Sequence, residues 1–591
     1  MLMPKISEAI IRHNSNSSSY SRGEDYYHRG AIADLKRRGN LILAAVEGSE
    51  ATPYQVNVTF DAGGITSACC SCPYDYDGWC KHIVAALLAY LHEPERIEER
   101  PTLEELLNRL NHSQTQQLLQ ELANKKPEII DEIDYFVNLV NSTGTPKATT
   151  KQPYSRRSEI DLGAFRSQVK RILRDGLAEL ESGSEENGAF TEELIDVIEK
   201  AVEFAKNGDG NNAIAILETI TTAYAQEADE LEDYGAESYE ISESLDKAWT
   251  EAILSTELDE GEIVDLQVML ESWHDQTSFN FGMSLTALVQ GWDEESLQQV
   301  LKGDHQAKIW PDHRPEFANN LTSIRLQILE REGRYKEYLH LAAAEEMKLE
   351  YLTQLAALGR VEEAMSAAKI HMDTAETAFA LAKILREDGY LSEALEIAQS
   401  GLNLSGRCLY EFASWTGDLA QGLGDTSTAL RASIIAFNTD PSFSGYNKVQ
   451  ELAGETWLTV KLDLLQVLRN LPRWHAEEEK VNIFLHEGLI DDAIASVKSN
   501  TYYASEIVYR VMDAAIPSHP DWVIEQAKLR AELIIDQKKA DRYDSAIKWL
   551  ERVKAGYLQL GQESEWSAYR SQLEAVHRPK RKLMELFKQL K

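Results

Sequence analysis

The sequence predicts a mainly α-helical protein, in which a small α+β module at the N-terminus precedes an α-solenoid of stacked helical hairpins. Glycine (32) and proline (15) are scarce in a chain of 591 residues, which favours helix over a turn-rich β architecture. Four of the five cysteines fall between positions 69 and 80, next to segments that alternate like short strands. From about residue 160 onward, helix–glycine–helix patterns recur at intervals near 34 residues, which is typical of stacked helical repeats.

The overall composition narrows the class of protein. With 43% hydrophobic and 27% charged residues the chain is globular, which excludes a fibrous or wholly disordered protein. It contains no apolar run of about 18 residues and its first residues lack a secretory pattern, so we expect a cytoplasmic protein without a membrane partner. The formal net charge of −37 repels phosphate on average and excludes a general nucleic-acid clamp.

The N-terminal module begins with segments that alternate in polarity. In the segment 54–60, Tyr54, Val56, Val58 and Phe60 alternate with polar residues, as in a half-buried strand. The predicted strands are 31–38, 41–46 and 54–60. The apolar stretch IVAALLAYL after them contains strong helix formers and no breaker, and it predicts a helix.

The cysteine cluster lies between these strands and the helix and reads CCSCPYDYDGWCKH. It holds Cys70-x-Cys72, seven intervening residues, and then Cys80-x-His82. Three thiolates and one imidazole at this spacing can close a tetrahedron around Zn²⁺, and the proline and glycine between them allow the chain to turn back. Because all four positions are supplied by the protein, no coordination site is open to water. We therefore predict one structural zinc ion.

The identity of the first ligand has two solutions. Cys69-x-x-Cys72 is also a common ligand spacing. If residues 65–70 form a strand, Cys70 and Cys72 point to one face and Cys69 points to the other. This argument favours Cys70, and the replacement of Cys70 by Cys69 stays open at this point.

The pattern C-x-C-x(n)-C-x-H, preceded by short strands and followed by an apolar helix, resembles a SWIM-type zinc finger. The flanks resemble it as well, with GEDYYHR similar to the lead-in helix of that family and YQVNVTF similar to the strand before the ligands. The resemblance spans roughly residues 20–95, and the doubled Cys69–Cys70 departs from the family pattern. It implies that Cys70, Cys72, Cys80 and His82 are the zinc ligands and that the module binds nucleic acid or protein.

The finger module is assigned to residues 1–100, and two different segments follow it. Residues 101–140 are predicted to be a helical extension with leucines at 103, 106, 107 and 110 on one stripe. Residues 141–158 carry four basic residues and no acid, and they are rich in Ser, Thr, Pro and Gly. This composition predicts a flexible basic linker.

Residues 159–591 are predicted to form the helical-repeat array. The recurrent pattern is a glycine in the turn and a small alanine in the second helix, which lets the two helices approach closely, and one hairpin turns around Tyr543 instead. The turn glycines are Gly208, Gly333, Gly359, Gly389, Gly424 and Gly488, and the alanines are Ala364, Ala394, Ala429, Ala493 and Ala546. The array resembles a degenerate tetratricopeptide-type repeat region.

Charge is unevenly distributed within the array. Residues 564–591 are predicted to form a basic amphipathic helix that caps the array, with contact to phosphate or to an acidic partner as the alternative. Residues 227–265 are strongly acidic, with Lys247 as their only cation. The run indicates either solvated helix faces, which is the usual case, or a docking surface.

The predicted function is that of an interaction scaffold. The sequence contains no phosphate-binding loop, HExxH motif or G-x-S-x-G elbow, so we expect no enzymatic activity, and an enzyme with an unrecognised site in the array is the least favoured alternative. The favoured prediction is a zinc-binding protein whose helical array binds protein partners.

The main alternative is a protein that binds DNA or RNA through its finger and basic linker. Residues 1–92 carry eight Lys and Arg against nine Asp and Glu, a net of −1, so the finger is much less acidic than the whole chain. The residues predicted for this contact are Lys36, Arg37, Arg38 and Lys81.

Overall fold

The structure of the protein is a computed structural model. It describes residues 6–50, 52–74, 78–126, 162–182, 189–233, 239–277, 279–304, 306–310, 313–472, 476–497, 505–537, 540–588 and 590. The linker predicted at 141–158 lies outside these residues. The chain forms two compact units, one made of Met1–Leu110 with Asp373–Lys591 and the other of Asn111–Met372. This division does not follow the predicted boundary at residue 158, because the N-terminal module packs with the last third of the chain.

The N-terminal module is a five-stranded sheet with helices packed on it. Its elements in chain order are α1 (Glu8–His13), α2 (Ser17–His28), β1 (Ile32–Arg38), β2 (Leu41–Val46), β3 (Tyr54–Asp61), β4 (Gly64–Cys70), α3 (Lys81–His92), β5 (Glu98–Glu99) and α4 (Leu103–Leu107). The strand order is β4-β3-β2-β1-β5, in which β1 to β4 pair antiparallel with their neighbours and β5 pairs parallel with β1. The strands predicted from alternation are therefore confirmed.

The core of this module lies between the sheet and α3. The alternating residues of β3, from Tyr54 to Phe60, are buried, as their spacing predicts. Nine consecutive residues of α3, His82 to Tyr90, are also buried, so this helix is covered on nearly all sides. Phe60 and Tyr90 stack with ring centroids 5.4 Å apart, which joins the sheet to the helix.

The secondary structure of the unit formed by Asn111–Met372 is α-helical in its described residues. Its helices are α5 (His112–Lys125), α6 (Leu162–Ser182), α7 (Ala189–Lys206), α8 (Gly210–Ala225), α9 (Ala228–Asp233), α10 (Tyr239–Leu254), α11 (Glu260–Gln276), α12 (Gly282–Gln290), α13 (Glu295–Leu301), α14 (Ala318–Arg331), α15 (Tyr335–Ala344), α16 (Lys348–Ala357) and α17 (Val361–His371). Helical hairpins turn at Gly208, Gly333 and Gly359, each with positive φ. These are turns that the sequence predicts.

The helices of Asp373–Lys591 continue the hairpin pattern. They are α18 (Ala375–Glu387), α19 (Leu391–Gly401), α20 (Leu409–Leu423), α21 (Thr426–Thr439), α22 (Phe443–Ala453), α23 (Trp457–Asn470), α24 (Glu477–His486), α25 (Ile490–Val497), α26 (Ser505–Ala515), α27 (Pro520–Asp536), α28 (Tyr543–Gln559), α29 (Glu563–His577) and α30 (Arg581–Phe587). Gly389, Gly424 and Gly488 take positive φ at the turns, which glycine adopts without steric cost. The predicted small alanines of both units have no exposed surface, and the helical-repeat architecture is confirmed.

The extension predicted at 101–140 contains two helices in its described part. α4 ends at Leu107 and α5 begins at His112, because the Asn111 side chain caps a new helix with a reciprocal capping box. The predicted leucine stripe does not form a core there, since Leu103 is 70% exposed. Residues 127–140 lie outside the described part of the chain.

The C-terminal segment also differs from its prediction as one helix. It forms α29 and α30, which are separated around Pro579, because proline lacks the amide donor that would continue the helical hydrogen bonds. Leu583 and Phe587 are buried, and the Lys580 ammonium donates to the Ile535 carbonyl at 2.5 Å. The segment thus packs against the preceding helices, as a terminal cap does.

Asp246, an acid of the predicted acidic run, is not a solvated surface group. Asp246 is buried in α10 and accepts hydrogen bonds from the backbone of Met283 at 3.2 Å and of Ser284 at 2.8 Å. Its carboxylate therefore caps the first turn of α12.

Among the described residues, no helix combines the length and apolarity required to cross a membrane.

Candidate metal centre

Two elements bring the predicted ligands together, and the first is the end of strand β4. Cys70 pairs with Val56 of β3 as the last residue of β4. Beyond it, the Ser71 amide donates to the Gln55 carbonyl at 3.0 Å, and the chain bends at Ser71 and Cys72. The sulfurs of Cys70 and Cys72 both lie in the ligand cluster.

The second element is the start of α3. Cys80 is the residue before the helix, and its carbonyl accepts the first helical hydrogen bond from Val84 at 3.1 Å. His82 follows in the first turn and is buried. The loop between the two elements is held by the Trp79 amide, which donates to the Asn14 carbonyl at 2.7 Å. Residues 75–77 of this loop lie outside the described residues.

The four ligand atoms form a compact cluster. They come from Cys70, Cys72, Cys80 and His82, and all lie within 4.8 Å of one another. The Nδ1 atom of His82 is 3.7 Å from the Cys70 sulfur and 3.9 Å from the Cys80 sulfur. A tetrahedral Zn²⁺ with Zn–S of about 2.3 Å and Zn–N of about 2.0 Å separates such atoms by about 3.5 Å, so the donor set fits one zinc ion.

Cys69 is exposed and stands outside this cluster. The strand that carries both cysteines turns Cys69 away from the face on which Cys70 lies. The register argument made from alternation is therefore the one that the structure follows.

Aromatic rings hold the imidazole of His82 in place. Tyr54 stacks on it with centroids 4.4 Å apart, and Tyr26 meets it edge-on at 5.4 Å. Gly48 makes room for this stack, because a Cβ there would lie 2.4 Å from the Tyr54 ring and 3.3 Å from Nε2 of His82. Nδ1 faces the sulfurs, while Nε2 is buried and has no hydrogen-bond partner among the described residues.

The thiols influence one another's protonation. Hydrogen bonding to Cys70, opposed by burial and assisted by His82, lowers the pKa of Cys80 to about 4. The same hydrogen bond and burial raise the pKa of Cys70, and burial raises the pKa of Cys72. A single thiolate is thus favoured before the metal binds, whereas a zinc ligand must be deprotonated. Zinc binding therefore releases protons.

The chemistry of the site is structural. Zinc, when bound, would cross-link the end of β4 to the start of α3 through Cys70, Cys72, Cys80 and His82. Other residues of the chain help to position these ligands. Tyr54 and Tyr26 orient the imidazole, and the Asn14 carbonyl holds the loop. With four protein ligands, no coordination position is left for a substrate or a catalytic water.

The residues predicted to contact nucleic acid are placed as follows. Lys36 pairs with Asp34, and Arg37 pairs with Glu99 at 3.3 Å. Arg38 donates to the Pro101 carbonyl at 2.6 Å. Lys36 to Arg38 are consecutive in β1 and point alternately to its two faces. Lys81 lies apart from them at the start of α3, with its ammonium 5.0 Å from the centre of the Tyr26 ring.

The comparison with protein families agrees with this geometry. The family model described as "SWIM zinc finger" matches residues 54–91, which include all four clustered ligands. Residues 54–91 are a SWIM zinc finger. The lead-in strand and the ligand set predicted from the resemblance lie inside the matched range.

One curated relative carries the same domain name. The "Zinc finger SWIM domain-containing protein 8 homolog" of Drosophila melanogaster is 28% identical over 173 residues. The aligned segment is 27% of this chain and only 8% of the relative, so the chain spans a small part of that relative's length.

A solved structure also aligns with much of the chain. It is the "Circular tandem repeat protein with novel repeat topology and enhanced subunit contact surfaces", at 15% identity, covering 73% of this chain and 97% of that one. The TM-score of 0.17 is too low for this likeness to carry an argument. The resemblance of the array to tetratricopeptide repeats stays a prediction.

Sequence reasoning missed the residues that support the SWIM finger from outside its motif. Tyr54 was predicted to point inward, and this was the available signal for its contact with His82. Asn14 and Gly48 gave no such signal, because their roles depend on a backbone carbonyl and on an absent side chain.

Proposed function

We propose that the protein is a zinc-binding scaffold whose helical array, of tetratricopeptide-like type, binds protein partners. Under this proposal it acts in the cytoplasm without catalytic activity of its own. The observation that carries the proposal is a pair of exposed leucines on one helix of the array. Leu458 and Leu462 lie one turn apart on α23 and are 73% and 64% exposed.

A pair at this spacing differs from scattered surface apolar residues. Single exposed leucines are common on soluble proteins, whereas residues four apart on a helix form a continuous stripe. The exposed acids Glu455 and Asp463 flank the stripe. A partner helix with an apolar stripe and basic edges would complement both features.

The α11 helix repeats this arrangement in the other unit. Val264 and Val268 lie one turn apart and are 59% and 61% exposed. Each unit thus offers an apolar stripe of its own, which favours a scaffold with more than one binding surface.

Nucleic-acid binding by the finger has weaker support. Lys36 and Arg37 are paired with acids, and Arg38 with a backbone carbonyl, so a phosphate would have to compete with existing partners. We therefore favour protein partners and treat nucleic acid as an outcome to be tested.

The experiment compares partners captured on the immobilised full chain with those captured on a Leu458→Glu/Leu462→Glu variant. A Thr459→Glu/Asn470→Glu variant is the matched control, because it adds the same charge to exposed positions of the same helix away from the leucine pair. We expect at least one captured protein to be lost with the leucine variant alone, with an unchanged melting temperature. That protein is then titrated against both purified variants.

A parallel arm measures fluorescence anisotropy of labelled single- and double-stranded DNA and RNA with the zinc-loaded chain across salt. Two results together would replace the proposal with the nucleic-acid alternative. The unchanged chain, the leucine variant and the control variant would capture identical proteins, and salt-dependent binding of nucleic acid would be abolished by a Lys36/Arg37/Arg38 triple substitution to alanine.

A further inference from the structure

The hairpin between β3 and β4 of the finger is held by an arginine of the array. The Arg386 guanidinium of α18 donates to Asp61 through Nε at 2.6 Å and through Nη2 at 2.9 Å. Nη2 also lies 3.3 Å from the Ile65 carbonyl of β4. The Arg386 side chain is only 6% exposed, so this two-point ion pair is shielded from water. Shielded bidentate pairs are the strong and directional ones.

Two backbones meet directly beside this ion pair. A Cβ added to Gly422 of α20 would lie 2.0 Å from the Gly63 carbonyl oxygen, a distance that no side chain can occupy. A Cβ added to Gly63 would lie 2.5 Å from a Leu419 methyl group. The fit between hairpin and helix thus requires glycine on both sides.

The finger contacts the array a second time through α1, which packs against α22. His13 at the end of α1 approaches an ion pair in which the Lys448 ammonium donates to Asp418 at 2.7 Å. The Lys448 side chain is 5% exposed. His13 also lines a small cavity with Ser414 and Ser433.

Both contacts are continuous with the zinc ligands. β4 runs from Gly64, beside Arg386, to the ligand Cys70 at its other end. The end of α1 is tied to the ligand loop, since the Asn14 carbonyl accepts from the amide of Trp79, the residue before Cys80. These two contacting segments of the finger are therefore both connected to the metal site.

We propose that zinc binding and docking of the finger on the array are coupled, so that the finger is a zinc-dependent intramolecular partner of the face formed by Arg386, Asp418, Gly422 and Lys448. The metal holds β4 and the loop at α1 in the positions that fit this face. Loss of the metal frees both anchors and releases the face. Because coupling between two binding events is reciprocal, weakening the docking must also weaken zinc affinity.

The first test is hydrogen–deuterium exchange of the full chain, zinc-loaded and after chelation. We expect protection to fall in the finger and in array peptides 379–390, 412–424 and 443–450. Peptides 523–535 and 546–553 are the internal control, because they belong to helices away from the docked face. Unchanged protection of the three array peptides after zinc removal would overturn the proposal.

The second test measures zinc affinity of the full chain by competition with a chromophoric chelator. Gly422→Ala places a methyl group against the Gly63 backbone, so we expect zinc affinity to fall about fivefold or more. Gly417→Ala is the matched control on the same helix, since its Cβ would lie 3.3 Å from the Ser433 hydroxyl and its three nearest atoms all belong to α21. We expect it to bind zinc like the unchanged chain.

An Arg386→Gln variant removes the ion pair without adding bulk and decides the question if Gly422→Ala does not fold. We expect weaker zinc binding from it as well, in the same direction. Zinc affinity equal to that of the unchanged chain in a folded Arg386→Gln variant would contradict the coupling.

Discussion

The helix α3 of the finger buries nine consecutive residues, whereas α17 of the array buries only Ala364 and Ala368. The finger is stabilised by one buried helix, a small sheet and one cluster of four ligands. The array is stabilised by many similar hairpins, each of which packs on its neighbours. A single substitution should therefore be far more damaging in the finger than in the array.

The largest effect is expected from the ligands. His82→Ala or Cys80→Ser removes one of four donors, and structural zinc contributes about 10–16 kcal/mol to folding in small zinc modules. We expect loss of the ion and unfolding of the finger, measured as zinc content and as loss of its exchange protection. Cys69→Ser is the control and should retain one zinc per chain, because Cys69 is outside the cluster. Retained zinc and retained exchange protection in the ligand variants would contradict the expectation that the finger is the more sensitive region.

The next effect concerns His13, which lies between the two regions. Burial lowers the pKa of His13 to about 4, with Lys448 acting in the same direction and Asp418 opposing it. Since this pKa is lower than in the unfolded chain, stability is complete above about pH 6.5 and falls as the pH approaches 4. The loss is at most about 3 kcal/mol.

This pH dependence is measured by urea unfolding of the zinc-loaded chain between pH 7 and pH 5. His13→Gln is the control, since it keeps a polar side chain that does not titrate. An equal pH dependence in this variant would show that His13 is not its source.

The smallest effect is expected inside a hairpin. Ala429 is fully buried in α21, and Ala429→Leu adds bulk where two helices are in close contact. Overpacking of this kind costs about 1–3 kcal/mol. We expect a lower urea midpoint with unchanged zinc content. Loss of zinc in this variant would mean that a packing defect in the array destabilises the finger, which would support the proposed coupling.

The ligand set was predictable because it is local. Three thiols and an imidazole occur within thirteen positions, and few structural alternatives account for that density. The turn glycines were predictable for a similar reason, since a positive φ is a requirement of a single residue. The C-terminal segment was predicted wrongly as one helix, because its amphipathic pattern continues across Pro579 while the helix is interrupted there.

The contacts between finger and array could not be predicted in this way. Asp61 and Arg386 are 325 residues apart, and neither stands out among the 97 acids and 60 basic residues of the chain. No sequence pattern distinguishes Gly63 or Gly422 from the other glycines of the chain, although their backbones are in contact.

The zinc ligands, three strands of the finger and the turns of the hairpins follow from the sequence alone, because each depends on neighbouring residues and on backbone preferences. Only the tertiary structure decided which helices the finger rests on and which charged groups are buried together. Those choices depend on shape and on charge between residues distant in the chain, where an ion pair forms only after folding has excluded the water around it.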